Sequence, residues 1–343
     1  MELCVVAGAG GFIGGHLVSA LVADGHRVRA VDAKPLSAWH QRPPAAETCV
    51  VDLSDRDACR SVVTGARVVY NLAADMGGIA FIEGNRAQCM LNVLIDTHLL
   101  LAARDAQVER YFYASSACVY AAGKQDRPDV VPLAEDAAYP ALPEDGYGWE
   151  KLFGERMCRH FSEDFGLATR VARYHNVYGP YGAIDGGREK APAAICRKVI
   201  TAKLTGDRSI EVWGDGRQTR SFTYVDDCVV GTRLLTSSQV ADPLNIGSDE
   251  MVTIDELVDV VEEIAGVRLA RRYLPAAPQG VRGRSSDNRQ IRRKLGWAPS
   301  TSLVAGMEAT YRWIYDRMVA GQPPANPVSS GAARRPTTVW AGS

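Results

Sequence analysis

The sequence predicts an α/β protein whose first half forms a doubly wound parallel sheet of the Rossmann type and whose second half forms a smaller lobe. Six short apolar runs alternate with helix-like stretches between residues 3 and 172. Short strands that are apolar throughout are typical of a parallel sheet covered by helices on both faces. After Asn176 the alternation stops, and loops rich in glycine and proline separate the remaining helices.

Each predicted strand is a short apolar run, and each predicted helix is a longer stretch with spaced apolar positions. The strands are expected at 3–7, 28–32, 49–51, 68–72, 111–115 and 169–172. The helices between them are expected at 13–23, 58–63, 87–104 and 148–165. Right-handed crossovers bring the carboxyl ends of such strands to one edge of the sheet, where a ligand crevice forms.

The change of pattern in the second half indicates that the chain consists of a larger domain and a smaller substrate-binding lobe. Its helices are expected near 191–203, 226–238, 254–265, 287–295 and 303–319. We assign residues 1–176 to the cofactor-binding domain, with 219–247 returning to it, and residues 177–218 and 248–320 to the lobe. The segment 321–343 is rich in Pro, Ala, Ser, Thr and Arg without periodicity, and is expected to be a disordered tail.

The composition is that of an ordinary globular chain without a strong electrostatic field. Apolar residues make up 46% and charged residues 23% of the 343 residues, and 39 Lys and Arg nearly balance 40 Asp and Glu. This balance argues against binding of nucleic acid or of an anionic membrane surface. The uncharged stretch 3–23 is interrupted by five glycines, and we interpret it as strand, turn and helix rather than as a signal or an anchor.

The eight cysteines are spread along the chain without CxxC pairs or clusters with histidine. This spacing argues against a metal site and against a disulfide framework. It indicates reduced thiols and hence a cytoplasmic location.

A glycine-rich segment at 8–14 (GAGGFIG) follows the first predicted strand and opens the first predicted helix. Gly8, Gly11 and Gly14 have GxxGxxG spacing, which allows a tight turn and close approach of a diphosphate to the helix N-terminus. Asp32 ends the second predicted strand, where a carboxylate accepts hydrogen bonds from ribose hydroxyls. Because this carboxylate would repel a 2′-phosphate, the segment predicts NAD rather than NADP.

Tyr147 and Lys151 form a YxxxK pair whose i, i+4 spacing puts both side chains on one face of a helix. A lysine there lowers the tyrosine pKa, so that Tyr147 is expected to act as a base near neutrality. The segment 115–120 (SSACVY) ends the fifth predicted strand. It supplies a hydroxyl, which we assign to Ser116, as hydrogen-bond donor to the reacting oxygen.

The glycine-rich turn, the SSACVY strand end and the YxxxK pair together resemble the extended short-chain dehydrogenase/reductases, the family of nucleotide-sugar epimerases and dehydratases. The resemblance spans residues 2–319. It implies a homodimeric enzyme that uses NAD. The cofactor contacts that it implies are Gly8, Gly11, Phe12, Ile13, Gly14, Asp32, Asp52, Leu53, Leu72, Ala73, Ala74, Tyr147, Lys151 and Tyr174.

Further segments are similar to the GDP-mannose 3,5-epimerase branch of this family. They are 74–78 (ADMGG), 115–118 (SSAC), 186–192 (GGREKAP), 213–216 (WGDG), 218–222 (QTRSF), 245–250 (NIGSDE) and 280–288 (GVRGRSSDN). This similarity implies a GDP-sugar substrate. The substrate contacts that it implies are Met76, Gly77, Gly78, Ser116, Cys118, Asn176, Lys190, Arg220 and Arg284.

The resemblance also implies a reaction that begins with oxidation of C4 of the sugar by NAD⁺ while Tyr147 takes the hydroxyl proton. The resulting ketone makes the hydrogens at C3 and C5 acidic, and inversion then needs protic side chains on opposite faces of the ring. Cys118 and Lys190 are the implied pair; Cys118 stands where related 4,6-dehydratases carry a glutamate. The alternatives are that Cys118 is a small buried hydrophobe and that Lys190 is a solvated surface lysine.

Arg220 and Arg284 are candidates for binding the diphosphate, because a guanidinium fork suits phosphate oxygens. Arg282 is a nearby alternative to Arg284. His175 is interpreted as a hydrogen-bonded structural histidine rather than a base. Residues 183–185 and Trp149 are expected to face the pocket and to influence which sugar is accepted.

Three other functions stay open. The first is a GDP-sugar epimerase that acts at one carbon, or on a different or longer sugar. The second is a GDP-sugar 4,6-dehydratase, which the cysteine at 118 disfavours. The third is a non-catalytic dinucleotide sensor, which the retained YxxxK pair disfavours.

Overall fold

The computed structural model describes residues 2–320, so the predicted tail at 321–343 lies outside the described residues. The strands are β1 (Leu3–Ala7), β2 (Arg27–Asp32), β3 (Glu47–Val50), β4 (Val68–Asn71), β5 (Arg110–Ser116), β6 (Thr169–Tyr174), β7 (Val177–Tyr178), β8 (Ser209–Trp213), β9 (Thr219–Ser221), β10 (Thr223–Tyr224), β11 (Leu244–Ile246), β12 (Met251–Thr253), β13 (Ala270–Leu274) and β14 (Gly283–Arg284). The α-helices are α1 (Phe12–Ala23), α2 (Arg56–Val63), α3 (Ile79–Gly84), α4 (Arg86–Met90), α5 (Asn92–Asp105), α6 (Tyr147–Phe165), α7 (Ala191–Thr205), α8 (Val225–Ser237), α9 (Ile254–Ala265), α10 (Arg289–Leu295) and α11 (Leu303–Val319).

Seven parallel strands form the central sheet, in the order β11-β6-β5-β4-β1-β2-β3. The six strands predicted from apolar runs are all present, with ends within two residues of the expected positions. The strand order reverses direction beside β1, because β2 and β4 lie on either side of it. This reversal places the crevice of a doubly wound sheet at the carboxyl end of β1.

Helices cover both faces of the central sheet. One buried apolar layer includes Leu17 of α1 and Leu235 of α8. The layer on the other face includes Val63 of α2, Leu100 of α5 and Phe161 of α6. Burial on both faces explains why the strands are apolar throughout rather than alternating, and the predicted doubly wound fold is confirmed.

The single helix predicted over 87–104 is wrong, since α4 and α5 divide this segment at Leu91 and α3 precedes them. Asn92, the first residue of α5, is buried. Its Oδ1 accepts a hydrogen bond of 2.7 Å from the backbone N–H of Asp75, and its Nδ2 donates to the Asp75 carbonyl at 3.3 Å. The start of α5 is therefore fixed by the loop after β4, a distant contact that helical periodicity does not contain.

The C-terminal lobe has its own core and three small sheets. Ile200 of α7, Val258 of α9 and Met307 of α11 are buried in one apolar cluster. The sheets pair β8 with β13, β7 with β10, and β9 with both β12 and β14. Of the segment 219–247, β11 joins the central sheet and α8 packs against α1, whereas β9 pairs within the lobe.

Within residues 2–320, no helix is both long and apolar enough to cross a membrane. The same residues contain no cluster of three or more His, Cys, Asp or Glu side chains that could hold a metal ion. All eight cysteines are free thiols.

Candidate active site

The turn after β1 is closely packed around its glycines. Gly8 has φ of +84°, and a Cβ on it would lie 2.8 Å from the main chain of Leu72. A Cβ on Gly14 would lie 2.1 Å from the Gly8 carbonyl oxygen, and one on Gly11 would lie 3.0 Å from it. No side chain caps the N-terminus of α1, so the first N–H groups of this helix are available to an anion.

Asp32 lies beside this turn, and main-chain donors fix its carboxylate. The N–H of Gly10 donates to Oδ2 at 3.0 Å, and the N–H of Lys34 donates to Oδ1 at 3.0 Å. Carboxylate oxygens keep further lone pairs for ribose hydroxyls. These features fit NAD. The glycine turn and the uncapped start of α1 at Phe12 and Ile13 suit its diphosphate, and the Asp32 carboxylate suits a ribose.

The other expected cofactor residues lie at the ends of their strands. Asp52 and Leu53 follow β3, and the Leu53 side chain is buried under α2 and α5. Residues 72–74 continue β4 beside the glycine turn. The hydroxyl of Tyr174, at the end of β6, shares a 2.7 Å hydrogen bond with Thr232 Oγ1, so this side chain is directed at α8.

The expected catalytic residues meet where β5 ends and α6 begins. Ser116 is the last residue of β5, and its Oγ accepts a 3.2 Å hydrogen bond from the N–H of Cys118. Tyr147 begins α6, and Lys151 follows one turn later with its Nζ 5.6 Å from the centre of the Tyr147 ring. A Cβ on Gly148 would lie 2.4 Å from the Cys118 carbonyl oxygen, so the first turn of α6 packs directly on the segment after β5.

Burial dominates the ionisation of Tyr147, which corrects one expectation, whereas neighbouring carboxylates dominate that of Lys151. Burial raises the pKa of Tyr147 above its usual value, although the charge of Lys151 acts in the opposite direction as predicted. Burial disfavours the Lys151 ammonium too, but Glu150 and Asp96 hold the pKa of Lys151 above its ordinary value. Burial likewise raises the pKa of Glu150 to about 8, against the effect of Lys151. The net lowering of the Tyr147 pKa was predicted from one neighbour and omitted desolvation.

A buried network of hydrogen bonds and one ion pair fixes the position of Lys151. Its Nζ donates to the Tyr113 hydroxyl at 3.3 Å and lies 3.3 Å from Glu150 Oε1. The Tyr113 hydroxyl in turn donates to Asp96 Oδ2 at 2.8 Å. A Cβ on Gly154 would lie 2.1 Å from that hydroxyl oxygen, so this glycine makes room for it. The sequence analysis did not predict these supporting residues. Asp96 and Glu150 lie among buried positions of α5 and α6, and an acidic residue at such a position was the signal that could have revealed them.

Cys118 is buried beside Tyr147 and is 8% exposed. The Nη1 of Arg284 donates to its Sγ at 3.8 Å. Burial and the carboxylate of Glu144 raise the pKa of the Cys118 thiol to about 11, whereas Arg284 acts to lower it. The thiol is therefore protonated at neutral pH, and its neighbours include both the apolar Ile82 and Cys89 and the charged Arg284 and Glu144.

The expected contact of Arg284 with a diphosphate stays a prediction; within the protein its guanidinium has three side-chain partners. Its Nε donates to Gln125 Oε1 at 2.6 Å, its Nη1 to Cys118, and its Nη2 to Glu144. The alternative, Arg282, forms a bidentate ion pair with the surface residue Asp215, with both distances 3.0 Å. Arg284 is buried between Cys118 and the carboxylate of Glu144, so its charge acts on the thiol.

Lys190 ends the loop before α7, and this loop docks on the one after β4. Arg188 Nη1 lies 2.7 Å from Asp75 Oδ1, and the N–H of Gly78 donates to the Arg188 carbonyl at 3.0 Å. Burial lowers the pKa of Lys190, and the charge of Cys118 acts to raise it, so the two groups are electrostatic neighbours. The contact brings Lys190 to the loop that contains Met76, Gly77 and Gly78.

Arg220 is a partly buried cation whose guanidinium donates to main-chain carbonyls. Its acceptors are Thr219 at 2.7 Å, Gln279 at 3.1 Å, and Val281. Within residues 2–320, no carboxylate lies within ion-pair distance of it. Burial lowers the pKa of Arg220 to about 9. A partly buried guanidinium without a carboxylate partner is suited to an anionic ligand.

The remaining candidates have mixed outcomes. Asn176 has φ of +39°, and its Nδ2 donates to the Ser221 carbonyl at 3.1 Å. His175 is fully buried and 3.0 Å from Asn245 Oδ1, and burial lowers its pKa to about 3, which supports the structural interpretation. Trp149 is exposed on α6, and the expectation that it faces the pocket stays a prediction.

The fold and this site define the chain's class. A doubly wound sheet, an NAD-suited glycine turn and a Ser–Tyr–Lys set at the end of β5 characterise an NAD-dependent enzyme of the short-chain dehydrogenase/reductase type. Residues 4–247 match the model of the NAD dependent epimerase/dehydratase family. The chain belongs to that family.

Curated relatives cover nearly the whole chain. The chain is 47% identical to GDP-mannose 3,5-epimerase 1 of Oryza sativa subsp. japonica over 314 residues, which are 91% of this chain and 82% of that protein. It is 46% identical to GDP-mannose 3,5-epimerase of Arabidopsis thaliana with the same coverage.

Solved structures of similar fold are nucleotide-sugar epimerases. UDP-glucuronic acid 4-epimerase from Bacillus cereus, solved with UDP-glucuronic acid and NAD, has a TM-score of 0.78 and 26% identity, covering 91% of this chain and 99% of that one. UDP-glucose 4-epimerase from Thermotoga maritima has a TM-score of 0.83 at 24% identity, covering 92% of this chain and 100% of that one. The latter likeness concerns the fold alone.

Proposed function

We propose that the chain is an NAD-dependent GDP-sugar epimerase and that its substrate is GDP-mannose, inverted at C3 and C5. The observation that carries this proposal is the meeting of Cys118 and Tyr147 in one buried cluster, with Lys190 as an electrostatic neighbour of the thiol. Relatives named GDP-mannose 3,5-epimerase, 46–47% identical over 91% of the chain, support the choice of substrate.

The reaction begins at the C4 hydroxyl of the sugar. Tyr147 accepts the hydroxyl proton, and Ser116 donates a hydrogen bond to the same oxygen. Lys151, held by Glu150 and Tyr113, supplies a positive charge that favours the Tyr147 phenolate. NAD, when bound, accepts the hydride from C4 and later returns it, and its nicotinium charge adds to that of Lys151.

The two protic side chains then act on the 4-ketone sugar, whose C3 and C5 hydrogens are acidic. Inversion requires that one group remove a proton from one face of the ring and that another group return a proton to the opposite face. We assign these roles to Cys118 and Lys190. Burial lowers the pKa of Lys190 and raises that of Cys118, which moves a lysine toward a base and keeps a thiol as an acid near neutral pH.

Arg220 is our assigned ligand for the diphosphate of the nucleotide. Its guanidinium is partly buried, and carbonyl acceptors hold its orientation without neutralising its charge. A diphosphate would supply the missing negative charge. Arg284, which Glu144 already neutralises, acts instead at the thiol.

We also propose a homodimer located in the cytoplasm. Exposed apolar side chains lie on neighbouring outer parts of α4, α5 and α6, which suits a self-complementary interface. Eight free thiols suit a reducing compartment.

The proposed function is tested by separating oxidation from proton exchange. Cys118→Ala and Lys190→Ala leave Tyr147 and Lys151 intact, so each variant should still reduce its bound cofactor when GDP-mannose is added. The absorbance of reduced nicotinamide measures this step. Neither variant should form sugar that is both inverted and deuterated at C3 or C5 in D2O, because inversion needs both proton carriers and a base left alone can return a deuteron only to the face it acts on. NMR and mass analysis of the sugar measure the inversion and the incorporation.

Cys118→Ser is the matched control, since it keeps the shape of the side chain but is a far weaker acid. It should fail in deuterium incorporation nearly as badly as Cys118→Ala. Inverted and deuterated sugar formed at the wild-type rate by Cys118→Ala would mean that the thiol only packs, and the epimerase mechanism proposed here would be wrong.

A further inference from the structure

One side chain, Arg284, connects three separate segments around the Cys118 thiol. Its guanidinium donates to Gln125 Oε1 at 2.6 Å, to Cys118 Sγ at 3.8 Å and to the Glu144 carboxylate. Glu144 is joined to the same place a second time, because its backbone N–H donates to the Cys118 carbonyl at 2.9 Å. The guanidinium of Arg284 therefore lies between the carboxylate of Glu144 and the thiol of Cys118 and contacts both.

The apolar Ile82 of α3 and Cys89 of α4 pack against the thiol, and the charged groups near it lie on other segments, Arg220 of β9 among them. Glu144 precedes α6, Arg284 lies in β14, and Lys190 precedes α7, while Ser116 and Tyr147 are the neutral hydrogen-bonding groups. Of the charged groups, Glu144 is the acidic one that acts directly on the thiol.

A thiolate at Cys118 and the carboxylate of Glu144 would compete for the same guanidinium. Because Glu144 is already paired with Arg284, that cation is largely neutralised before the thiol loses its proton. Burial leaves little water to stabilise a thiolate instead. The ion pair therefore determines how readily Cys118 ionises.

We propose that Glu144 is a positioning residue for the reaction: by pairing with Arg284 it keeps Cys118 as a protonated thiol, ready to donate a proton to the substrate. The inference rests on the proposed catalytic role of Cys118, but the coupling itself concerns only the three side chains. Glu144 acts on the thiol by occupying Arg284 and by its own charge, and it does not contact the reacting atoms.

The test is a pH titration of the thiol in the full-length protein. The thiolate is measured by its ultraviolet absorbance, as the difference between each protein and the same protein carrying Cys118→Ser, which removes the contribution of tyrosines. Glu144→Gln keeps the size and one hydrogen-bond acceptor of the side chain but removes its charge. We expect the midpoint of the Cys118 titration to fall by roughly one pH unit or more, about a tenfold gain in thiolate at a fixed pH.

Two comparisons isolate the coupling. Asp145→Asn removes the neighbouring carboxylate, which pairs with the exposed Arg86, and should leave the midpoint unchanged. In an Arg284→Gln background, Glu144→Gln should have a smaller effect, because the shared cation is gone and only the direct effect of the Glu144 charge on the thiol is then removed. The pH profile of deuterium incorporation should move in the same direction as the titration in Glu144→Gln.

The outcomes separate this inference from the proposed function. A Cys118 midpoint in Glu144→Gln that matches that of Asp145→Asn would overturn the inference, even if deuterium incorporation depends on Cys118. A shifted midpoint that persists unchanged in the Arg284→Gln background would also overturn it. A shift that needs Arg284 would support the coupling, whereas wild-type incorporation in Cys118→Ala would refute only the proposed function.

Discussion

Tyr147 is subject to two opposing effects. Burial under the start of α6 raises the pKa of its phenol, and the charge of Lys151, 5.6 Å from the ring, acts to lower it. Lys151 remains charged in the interior because Glu150 and Asp96 lie behind it. The YxxxK spacing predicted this pair, but the desolvation of the phenol and the acids that hold the lysine depend on burial, which spacing does not give.

At this scale we predict that Tyr147→Phe loses C4 oxidation, because no base then takes the hydroxyl proton, and the expected loss in rate is about 10²–10⁴. In the wild type the phenol pKa is raised, so the phenolate fraction and the oxidation rate should increase as pH rises from neutral. Single-turnover absorbance of reduced nicotinamide after mixing with GDP-mannose measures both. Tyr311→Phe, a buried tyrosine of the C-terminal lobe, is the control. A rate that is independent of pH would contradict the assignment.

At the scale of elements, strands were predicted better than helix boundaries. A strand of the central sheet is buried on both faces, so its own apolar run indicates it. The α4–α5 region was predicted as one helix. The break depends on Asn92, which binds the main chain of Asp75, 17 positions away, and helical periodicity does not indicate such a distant contact.

The turn between β1 and α1 gives an element-scale prediction. A Cβ on Gly14 would lie 2.1 Å from the backbone oxygen of Gly8, so Gly14→Ala must move α1 away from the turn that is suited to the diphosphate. We expect NAD binding to weaken by at least about tenfold, measured by calorimetry. Gly15→Ala is the matched control, since its Cβ would meet only the flexible side chain of Gln41 and should leave affinity nearly unchanged. Equal effects of the two changes would exclude this explanation.

At the scale of the whole molecule, the candidate site is assembled from distant segments. Motifs on single elements predicted Gly8, Asp32, Tyr147 and Lys151, because spacing along one turn or helix fixes their relative positions. The pairing of Arg284 with Cys118 joins residues 166 positions apart. Motif resemblance named both residues, but only the fold brings them together beside the carboxylate of Glu144.

The outer surface of the central domain carries an apolar patch, which we define as Met90, Leu91, Leu94, Trp149 and Phe153. All five side chains are exposed; they lie on α4, on α6, at Leu91 between α4 and α5, and in the first turn of α5, and these three helices contact one another. A contiguous apolar patch of this kind on a globular chain is typical of an interface. Two copies related by a twofold axis would cover it by packing helix against helix, which buries the patch once from each side.

Phe153→Glu should therefore separate the proposed dimer into monomers. The substitution replaces an aromatic anchor with a charge that the partner's patch cannot solvate, and loss of such an anchor costs at least about 2 kcal/mol, roughly 30-fold in the dimer Kd. Size-exclusion chromatography with light scattering, over a range of protein concentrations, measures the mass. Leu204→Glu is the control, because Leu204 is similarly exposed but lies near the end of α7 in the other lobe. The proposed interface would be wrong if Phe153→Glu dimerised as tightly as Leu204→Glu, or if the wild type were monomeric throughout.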